Sequence, residues 1–210
     1  MKIYRRAYIW ALLAVLLFIA VSWLVMEERT TSFDSEVIRI VQGWESVPAT
    51  RIALILSQIG STGGVTVLVV AIGALLAAVL GHRKELLLLV FSVSGAALFN
   101  LLLKSIFQRE RPNLHRLAEE TGFSFPSGHS MAAFALYGVL AYLLWRHIGS
   151  KKGRLALIAL AALFVLSIGL SRIYLGVHYP SDVLAGYLAS MVWLGLGIEL
   201  FRGWIRKPAR

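Results

Sequence analysis

Residues 86–104 read LLLLVFSVSGAALFNLLLK, nineteen residues whose single charge is the closing Lys104. A helix of about 20 apolar residues spans the hydrocarbon core of a bilayer, because each residue rises about 1.5 Å. Outward from this run the pattern repeats. Further apolar runs predict spans at about 7–26, 62–80, 130–146, 155–172 and 183–201, giving an all-α membrane protein with six transmembrane helices in a bundle. The composition agrees: 58% of the 210 residues are hydrophobic and only 15% are charged, whereas a soluble domain carries about a quarter charged residues. No Ser/Gly/Pro-rich linker, internal repeat or low-complexity segment divides the chain, so residues 1–210 are expected to form a single membrane domain.

Lys2, Arg5 and Arg6 precede the first run, Ala7 to Met26. A secretory signal has a shorter apolar region and a small-residue cleavage site; here Glu27, Glu28 and Arg29 follow instead, and an uncleaved first span is expected. Between spans one and two, Phe33, Val37, Ile40, Val41 and Trp44 recur at helical spacing with Asp34, Glu36, Arg39 and Gln42 among them. This predicts an amphipathic helix at the membrane interface. The stretch from Ile52 to Ile59 is too short to span, and an interfacial or re-entrant segment is expected there.

The net charge of +10 would suggest nucleic acid in a soluble protein. Here the cations sit in short loops, where they set orientation, and no nucleic-acid partner is expected. With both termini in the cytoplasm, the cytoplasmic segments hold thirteen of the 21 basic residues and two of the eleven acids, Glu85 and Glu199. Lys/Arg excess in short loops marks the cytoplasmic side. The chain has no cysteine, which excludes disulfides, thiolate catalysis and cysteine-ligated metal.

Polar residues gather where apolar runs end. Lys104 closes the third run, Arg111-Pro112 follow, and Phe125-Pro126-Ser127-Gly128-His129-Ser130 opens the fourth. Ser171-Arg172 close the fifth, and His178 and Asp182 border the sixth. The chain crosses the membrane twice between His129 and Arg172 and not at all between Lys104 and His129. All these groups are therefore expected on one face, away from the cytoplasm. Lys104, Arg111 and Arg172 suit an anion with several charged oxygens, since arginine offers forked donors and lysine a point charge. Ser127 and Gly128 precede a helix, and a hydroxyl and N–H groups at a helix N-terminus hold phosphate oxygens. Asp182, four residues after His178, is placed to fix its tautomer if the stretch is helical and leave the other ring nitrogen free to attack phosphorus. His129 is then the group that protonates the leaving alkoxide and later activates water.

The pattern Lys104-x6-Arg111-Pro112, Pro126-Ser127-Gly128-His129 and Ser171-Arg172-x5-His178-x3-Asp182 resembles the tripartite signature of the type 2 phosphatidic acid phosphatase family, which also includes soluble acid phosphatases and vanadium haloperoxidases. The motifs cover residues 104–182, and the six-span layout extends the likeness to nearly the whole chain. The resemblance implies a helical-bundle core, His178 as nucleophile, Asp182 as its orienter and His129 as acid/base. It implies Lys104, Arg111, Ser127, Gly128 and Arg172 as phosphate ligands, and a reaction with no metal and no cofactor. In size and short loops the chain is similar to bacterial phosphatases of phosphatidylglycerophosphate or undecaprenyl diphosphate. The expected function is hydrolysis of a terminal phosphate of a lipid phosphate or diphosphate in the cell membrane, with no obligatory protein partner. A phosphotransferase on the same site and an anionic-lipid transporter are the rivals; a transporter has no use for the His178/Asp182 pair, and no inverted repeat is present.

Plainer roles stand beside these. Lys104 can snorkel from a helix end, Pro126-Ser127-Gly128 can be only a turn and N-cap, and Arg172 can pair structurally with Asp182. His82, His115 and His147 are expected to be solvated or without a role in the site, and Arg109, Glu110, Arg116, Glu119 and Glu120 to form a solvated loop. Asn100, one turn before Lys104, is expected to orient it or to bond a neighbouring helix. The tryptophans, Trp10, Trp23, Trp145, Trp193 and Trp204 among them, are expected to anchor at the interface.

Overall fold

A computed structural model describes residues 2–79, 83–113 and 115–206. His82, Lys207 and Arg210, and the side chains of Lys2, Arg5, Arg6, Trp10, Arg83 and Arg206, which enter the charge and anchoring expectations, lie outside the described residues. The described residues form eight α-helices and no strand: α1 Lys2–Met26, α2 Thr31–Gln42, α3 Val47–Gly60, α4 Thr62–Ala74, α5 Arg83–Phe107, α6 Gly128–Trp145, α7 Lys151–Tyr174 and α8 Pro180–Arg206. A π-helical turn, Leu75–Val79, extends α4. Four stretches, Lys84–Phe107, Gly128–Trp145, Lys151–Tyr174 and Pro180–Ile205, are each long and apolar enough to cross a membrane. Two bent pairs raise the number to six if each is one span: Ala11–Met26 with Thr31–Gln42, bent by 94°, and Val47–Gly60 with Thr62–Ala78, bent by 57°.

The all-α architecture agrees with the sequence expectation, and one expected element is longer than its apolar stretch. The stretch 52–59, expected as a short interfacial or re-entrant piece, belongs to α3. That helix starts earlier because Ser46 accepts from the Ala49 N–H at 3.3 Å and Pro48 occupies the first turn. Ser61 then caps α4, accepting from the Gly64 N–H at 3.1 Å, so the chain bends at Ser61 and continues.

The central helix is α6, flanked by α5, α7 and α8. Ala135, Leu136, Val139 and Leu143 of α6 bury against Leu88, Leu89, Val93 and Ala96 of α5 and Leu194 and Phe201 of α8. Small residues permit the close approach, as is common where helices pack in lipid. A Cβ on Gly95 would stand 2.1 Å from the Trp193 ring. That ring lies between Phe91 and Phe99, with centroids 5.2 and 5.8 Å away. Trp193 is therefore a packing residue of the α5/α8 contact and not the interfacial anchor expected from its type. The outward faces carry large apolar side chains, among them Leu98, Leu101, Leu163 and Leu166, as a lipid-facing surface requires.

Three helix ends aim the polar segments. At the end of α7, the Gly176 N–H donates to Ile173 O at 3.0 Å and the Val177 N–H to Arg172 O at 3.2 Å. With Gly176 at φ +70°, this is a Schellman stop, and it turns the chain straight into His178. The N-terminus of α8 has Pro180 in its first turn, and Asp182 reaches back to accept the Tyr179 N–H at 2.8 Å, the reciprocal half of a capping box. Ser127 caps α6, accepting from the Ser130 N–H at 3.4 Å.

Gly176 is also hemmed in: a Cβ there would sit 1.9 Å from the carbonyl oxygen of His115. Gly176→Ala is expected to combine backbone strain of about 1–3 kcal/mol with this clash. Denaturation of the purified protein in mixed micelles checks it, and a variant as stable as the parent would show that the turn relaxes freely.

Candidate active site

The C-terminal turns of α5 and α7, the N-terminal turns of α6 and α8, and the 108–127 loop meet at one end of the bundle. Their contact is direct: the Ser127 N–H donates to Asp182 O at 3.0 Å, and the Leu117 N–H donates to Leu175 O at 3.0 Å. The sequence motifs, up to 78 positions apart, thus share one cluster.

His178 is its centre and is 1% exposed. Its Nδ1 lies 3.4 Å from Asp182 Oδ2, and its Nε2 lies 3.1 Å from Arg111 Nη1. A guanidinium only donates, so Nε2 must present its lone pair and Nδ1 must carry the proton, which it offers to the carboxylate. The neighbours therefore fix the tautomer. Burial pushes the ring down to about 4; Asp182 opposes the shift and Arg111 adds to it. His178 is neutral at pH 7, its Nε2 unprotonated. The pair forms differently from the helical (i, i+4) arrangement expected: His178 lies before α8, and the turn at Tyr179-Pro180 brings ring and carboxylate together.

Asp182 is fully buried. Its Oδ2 accepts from the Ser124 hydroxyl and the Tyr179 N–H, and its Oδ1 accepts from Arg109 Nη1 at 2.6 Å. Arg111 donates to the carbonyls of Gly122 at 2.9 Å, Val177 at 2.9 Å, Thr121 at 3.0 Å and Phe123 at 3.2 Å. It ties the loop to the His178 turn, and burial lowers its pKa.

Arg172, 2% exposed, donates to Ser57 of α3 and to Glu120 Oε1 at 2.6 Å. Its Nε is buried with no protein partner among the described residues. Lys104 donates to Phe123 O. Glu120 also lies 3.6 Å from Arg111 Nη2 and 3.9 Å from His129 Nδ1. One carboxylate thus stands among two arginines and a histidine.

Residues 85–206 match the family model described as the PAP2 superfamily. The chain belongs to that superfamily. It is 35% identical over 182 residues to phosphatidylglycerophosphatase B of Bacillus subtilis, covering 84% of this chain and 81% of the relative. It is 28% identical over 191 residues to an undecaprenyl-diphosphatase of Sulfolobus acidocaldarius, covering 88% and 86%. The crystal structure of a transmembrane PAP2-type phosphatidylglycerolphosphate phosphatase from Bacillus subtilis superposes with a TM-score of 0.83 at 27% identity, over 95% of this chain and 98% of that one. Aquifex aeolicus LpxE shares the fold, with a TM-score of 0.66 at 23% identity over 80% of this chain and 95% of that one. The apolar helices and these relatives make this PAP2 chain a multi-pass membrane protein.

All eight residues singled out in the PAP2 motifs lie in the cluster, though not all as free ligands. The Ser127 hydroxyl is 3.0 Å from Ser130 Oγ and caps α6, and its N–H is bonded to Asp182 O. Gly128 is needed for space, because a Cβ would meet Asn100 Oδ1 at 2.9 Å. Of the two roles expected for Asn100, it is the neighbouring helix that it bonds: its amide donates to Met131 Sδ of α6 at 3.2 Å and to Pro126 O at 2.9 Å, and so holds the Pro126-Ser127-Gly128 turn. Arg172 pairs with Glu120 and not with Asp182. His115 bonds Glu45 at 2.8 Å, away from the cluster, and His147 accepts from Arg146 at 3.2 Å.

The loop expectation needs correction. Arg109 and Glu120 are partners of the buried groups, not solvated side chains, whereas Glu110, Arg116 and Glu119 are exposed as expected. Ser124, Ser57 and Asp34 also belong to the network and were not singled out from the sequence. Ser124 had one available signal, its place two residues before Pro126-Ser127-Gly128-His129; Ser57 and Asp34 had none.

Ser124→Ala would leave the buried Asp182 carboxylate one donor short, a loss of about 1–3 kcal/mol. A fall of about 2–4 °C in Tm per kcal/mol is expected for a chain this size, read by thermal unfolding in detergent. Unchanged melting would show that the hydroxyl bond contributes nothing.

Proposed function

We propose that this PAP2 protein is an integral membrane lipid phosphatase that hydrolyses the terminal phosphate of a lipid phosphate or diphosphate through a phosphohistidine, without a metal. The observation that carries the proposal is His178, held as a neutral, Nδ1-protonated imidazole between Asp182 and Arg111.

In the first half-reaction Nε2 attacks phosphorus, and the N–P bond forms as the bond to the leaving oxygen breaks. Arg111 Nη1 passes from Nε2 to a phosphoryl oxygen. Lys104, Arg111 and Arg172, with the Ser127–Gly128 end of α6, balance the charge on the equatorial oxygens, the work a metal does elsewhere. His129 gives its proton to the leaving alkoxide. Asp182 stabilises the positive charge that develops on His178. In the second half-reaction His129 takes a proton from water, water oxygen attacks phosphorus, the N–P bond breaks, and inorganic phosphate leaves with His178 restored.

An apolar groove of about 750 Å³ supports a lipid substrate. It runs beside α4, α6 and α7, lined by Ile59, Val67, Leu68, Leu136, Leu140 and Phe164 among others. Its upper end lies next to the site: Gln58 and Ile59 line it, Ser57 beside them holds Arg172, and a Cβ on Gly60 would touch His129 Cδ2 at 3.4 Å. The relatives' names favour a phosphatidylglycerophosphate or an undecaprenyl diphosphate, and phosphatidate has the same headgroup chemistry. The basic-residue asymmetry supports cytoplasmic termini and a site on the extracytoplasmic face.

His178→Ala and His129→Ala are each expected to abolish phosphate release from these three lipids in detergent, while a chelator leaves the rate unchanged. Strong inhibition by chelator would overturn the metal-free mechanism. An acid-labile phosphoenzyme formed by wild type and absent in His178→Ala is expected; its formation by His178→Ala would move the nucleophile elsewhere. Free phosphate, and not a phosphorylated acceptor, is the expected product; the reverse would favour a phosphotransferase.

A further inference from the structure

Asp34 is the unexplained charge of this fold. It lies on α2, the amphipathic helix that exposes Phe33 and Ile40, yet it is 1% exposed. A buried carboxylate is costly unless fully paired. Asp34 is paired: Oδ1 accepts the Ser181 N–H at 2.9 Å, and Oδ2 accepts the Ser181 hydroxyl at 2.7 Å and Arg109 Nη2 at 2.9 Å. The first bond has a clear cause. Tyr179 stands just before α8 and offers no short acceptor for the first-turn N–H groups. Asp34 supplies that acceptor from another helix.

Arg109 stands between two carboxylates. One Nη reaches Asp34; the other reaches Asp182 Oδ1 at 2.6 Å and the Ser181 hydroxyl at 2.8 Å. Its plane lies over the Tyr179 ring, 4.0 Å from the centroid. Both Nη groups and the flat face are engaged, so the guanidinium cannot turn without losing several contacts.

We propose that Arg109, held by Asp34 of the interfacial helix, is a positioning residue that sets the Asp182 carboxylate against His178. This rests on His178 being the nucleophile. With Oδ1 pinned by Arg109, Oδ2 faces the His178 Nδ1 side, where Ser124 and the Tyr179 N–H also meet it. Arg109 also offsets part of the Asp182 charge, so the carboxylate orients the imidazole without drawing a second proton onto it. The charged and titratable groups facing this pair are Arg109, Asp34, Tyr179, Lys104 and Arg111 around Asp182, and Arg111, Arg172 and His129 around His178. Arg109 is thus the cation closest to Asp182, and Asp34 is what holds it there.

The test uses full-length Arg109→Gln, Arg109→Lys, Asp34→Asn and the Arg109→Gln/Asp34→Asn double variant, purified in detergent. Two readouts are taken: phosphate release from dioctanoyl phosphatidate across pH, and the ¹⁵N titration of His178 in histidine-labelled protein, its signal identified by loss in His178→Gln. Arg109→Gln is expected to lower kcat by about 100-fold, the scale of a misplaced catalytic group, with KM changed by less than about threefold. The acidic limb of kcat/KM and the His178 titration both move to higher pH, because an uncompensated Asp182 favours the protonated ring. Arg109→Lys restores part of kcat. Asp34→Asn gives a smaller loss of kcat in the same direction, and the double variant is no slower than Arg109→Gln. An unchanged His178 titration in Arg109→Gln overturns the proposal, as do losses that multiply in the double variant. Should the parent protein release no phosphate, the phosphatase reading fails by itself, and the ¹⁵N titration, which needs no substrate, still decides the role of Arg109. If Arg109→Gln does not fold, Arg109→Lys and Asp34→Asn carry the same two readouts.

Discussion

Burying the Asp182 carboxylate is the constraint around which this end of the bundle is organised. A charge removed from water must be met by donors and an opposite charge, and breaking one such partnership costs more than its presence contributes. Asp182 draws four partners from three places: Arg109 and Ser124 from the loop, the Tyr179 N–H from its own helix start, and the His178 ring from the turn before it. Each partner is in turn tied elsewhere. Arg109 brings α2 to the site through Asp34, and the Asp182 carbonyl holds the Ser127 N–H and with it the start of α6. One buried carboxylate thereby ties the loop, α2 and the start of α6 to one another.

The described residues of the loop from Gln108 to Ser127 form no helix or strand, and their order comes from arginine. Arg111 satisfies four backbone carbonyls while also contacting His178. Lysine has no such geometry, since its charge is a point and its donors share one nitrogen. The same guanidinium therefore holds the loop together and stands at His178 Nε2, the nitrogen proposed to attack phosphorus. Loop order and readiness of the imidazole are one property here, and the Schellman turn at Gly176 supplies the other wall.

Much of this was legible in the sequence, and the part that was not follows a rule. Counting crossings between apolar runs places Lys104, His129, Arg172 and His178 at the same end, because membrane spans turn sequence order into spatial order. That logic works for residues at span ends and gives nothing for residues between spans. Arg109, Glu120 and Ser124 sit in a polar loop whose composition is that of a solvated segment, so burial could not be read from it. Asp34 fell on the expected polar stripe of an amphipathic helix, where the water-facing and site-facing sides look alike. Trp193 was misplaced for a related reason: residue type suggested an anchor, but Gly95 opposite it made a slot that only the structure reveals. The start of α3 is marked by Ser46 and Pro48, capping chemistry that an apolar run beginning at Ile52 does not register.

Glu120 gives the site its resting charge balance. Lys104 and Arg172, at the ends of apolar helices, converge with Arg111 of the loop, where unpaired cations are expensive. The Glu120 carboxylate answers two of them and approaches His129. It has the charge and the forked oxygens of part of a phosphate, and it touches arginines assigned to phosphate. A phosphate entering between the same cations exchanges one anion for another and does not have to uncover bare charges first. Arg172 Nε, a buried donor without a protein partner, is one contact that a tetrahedral anion with more oxygens can add and a carboxylate here does not. For the proposed phosphatase, affinity at this site is therefore a difference between two anions, Glu120 and the incoming phosphate.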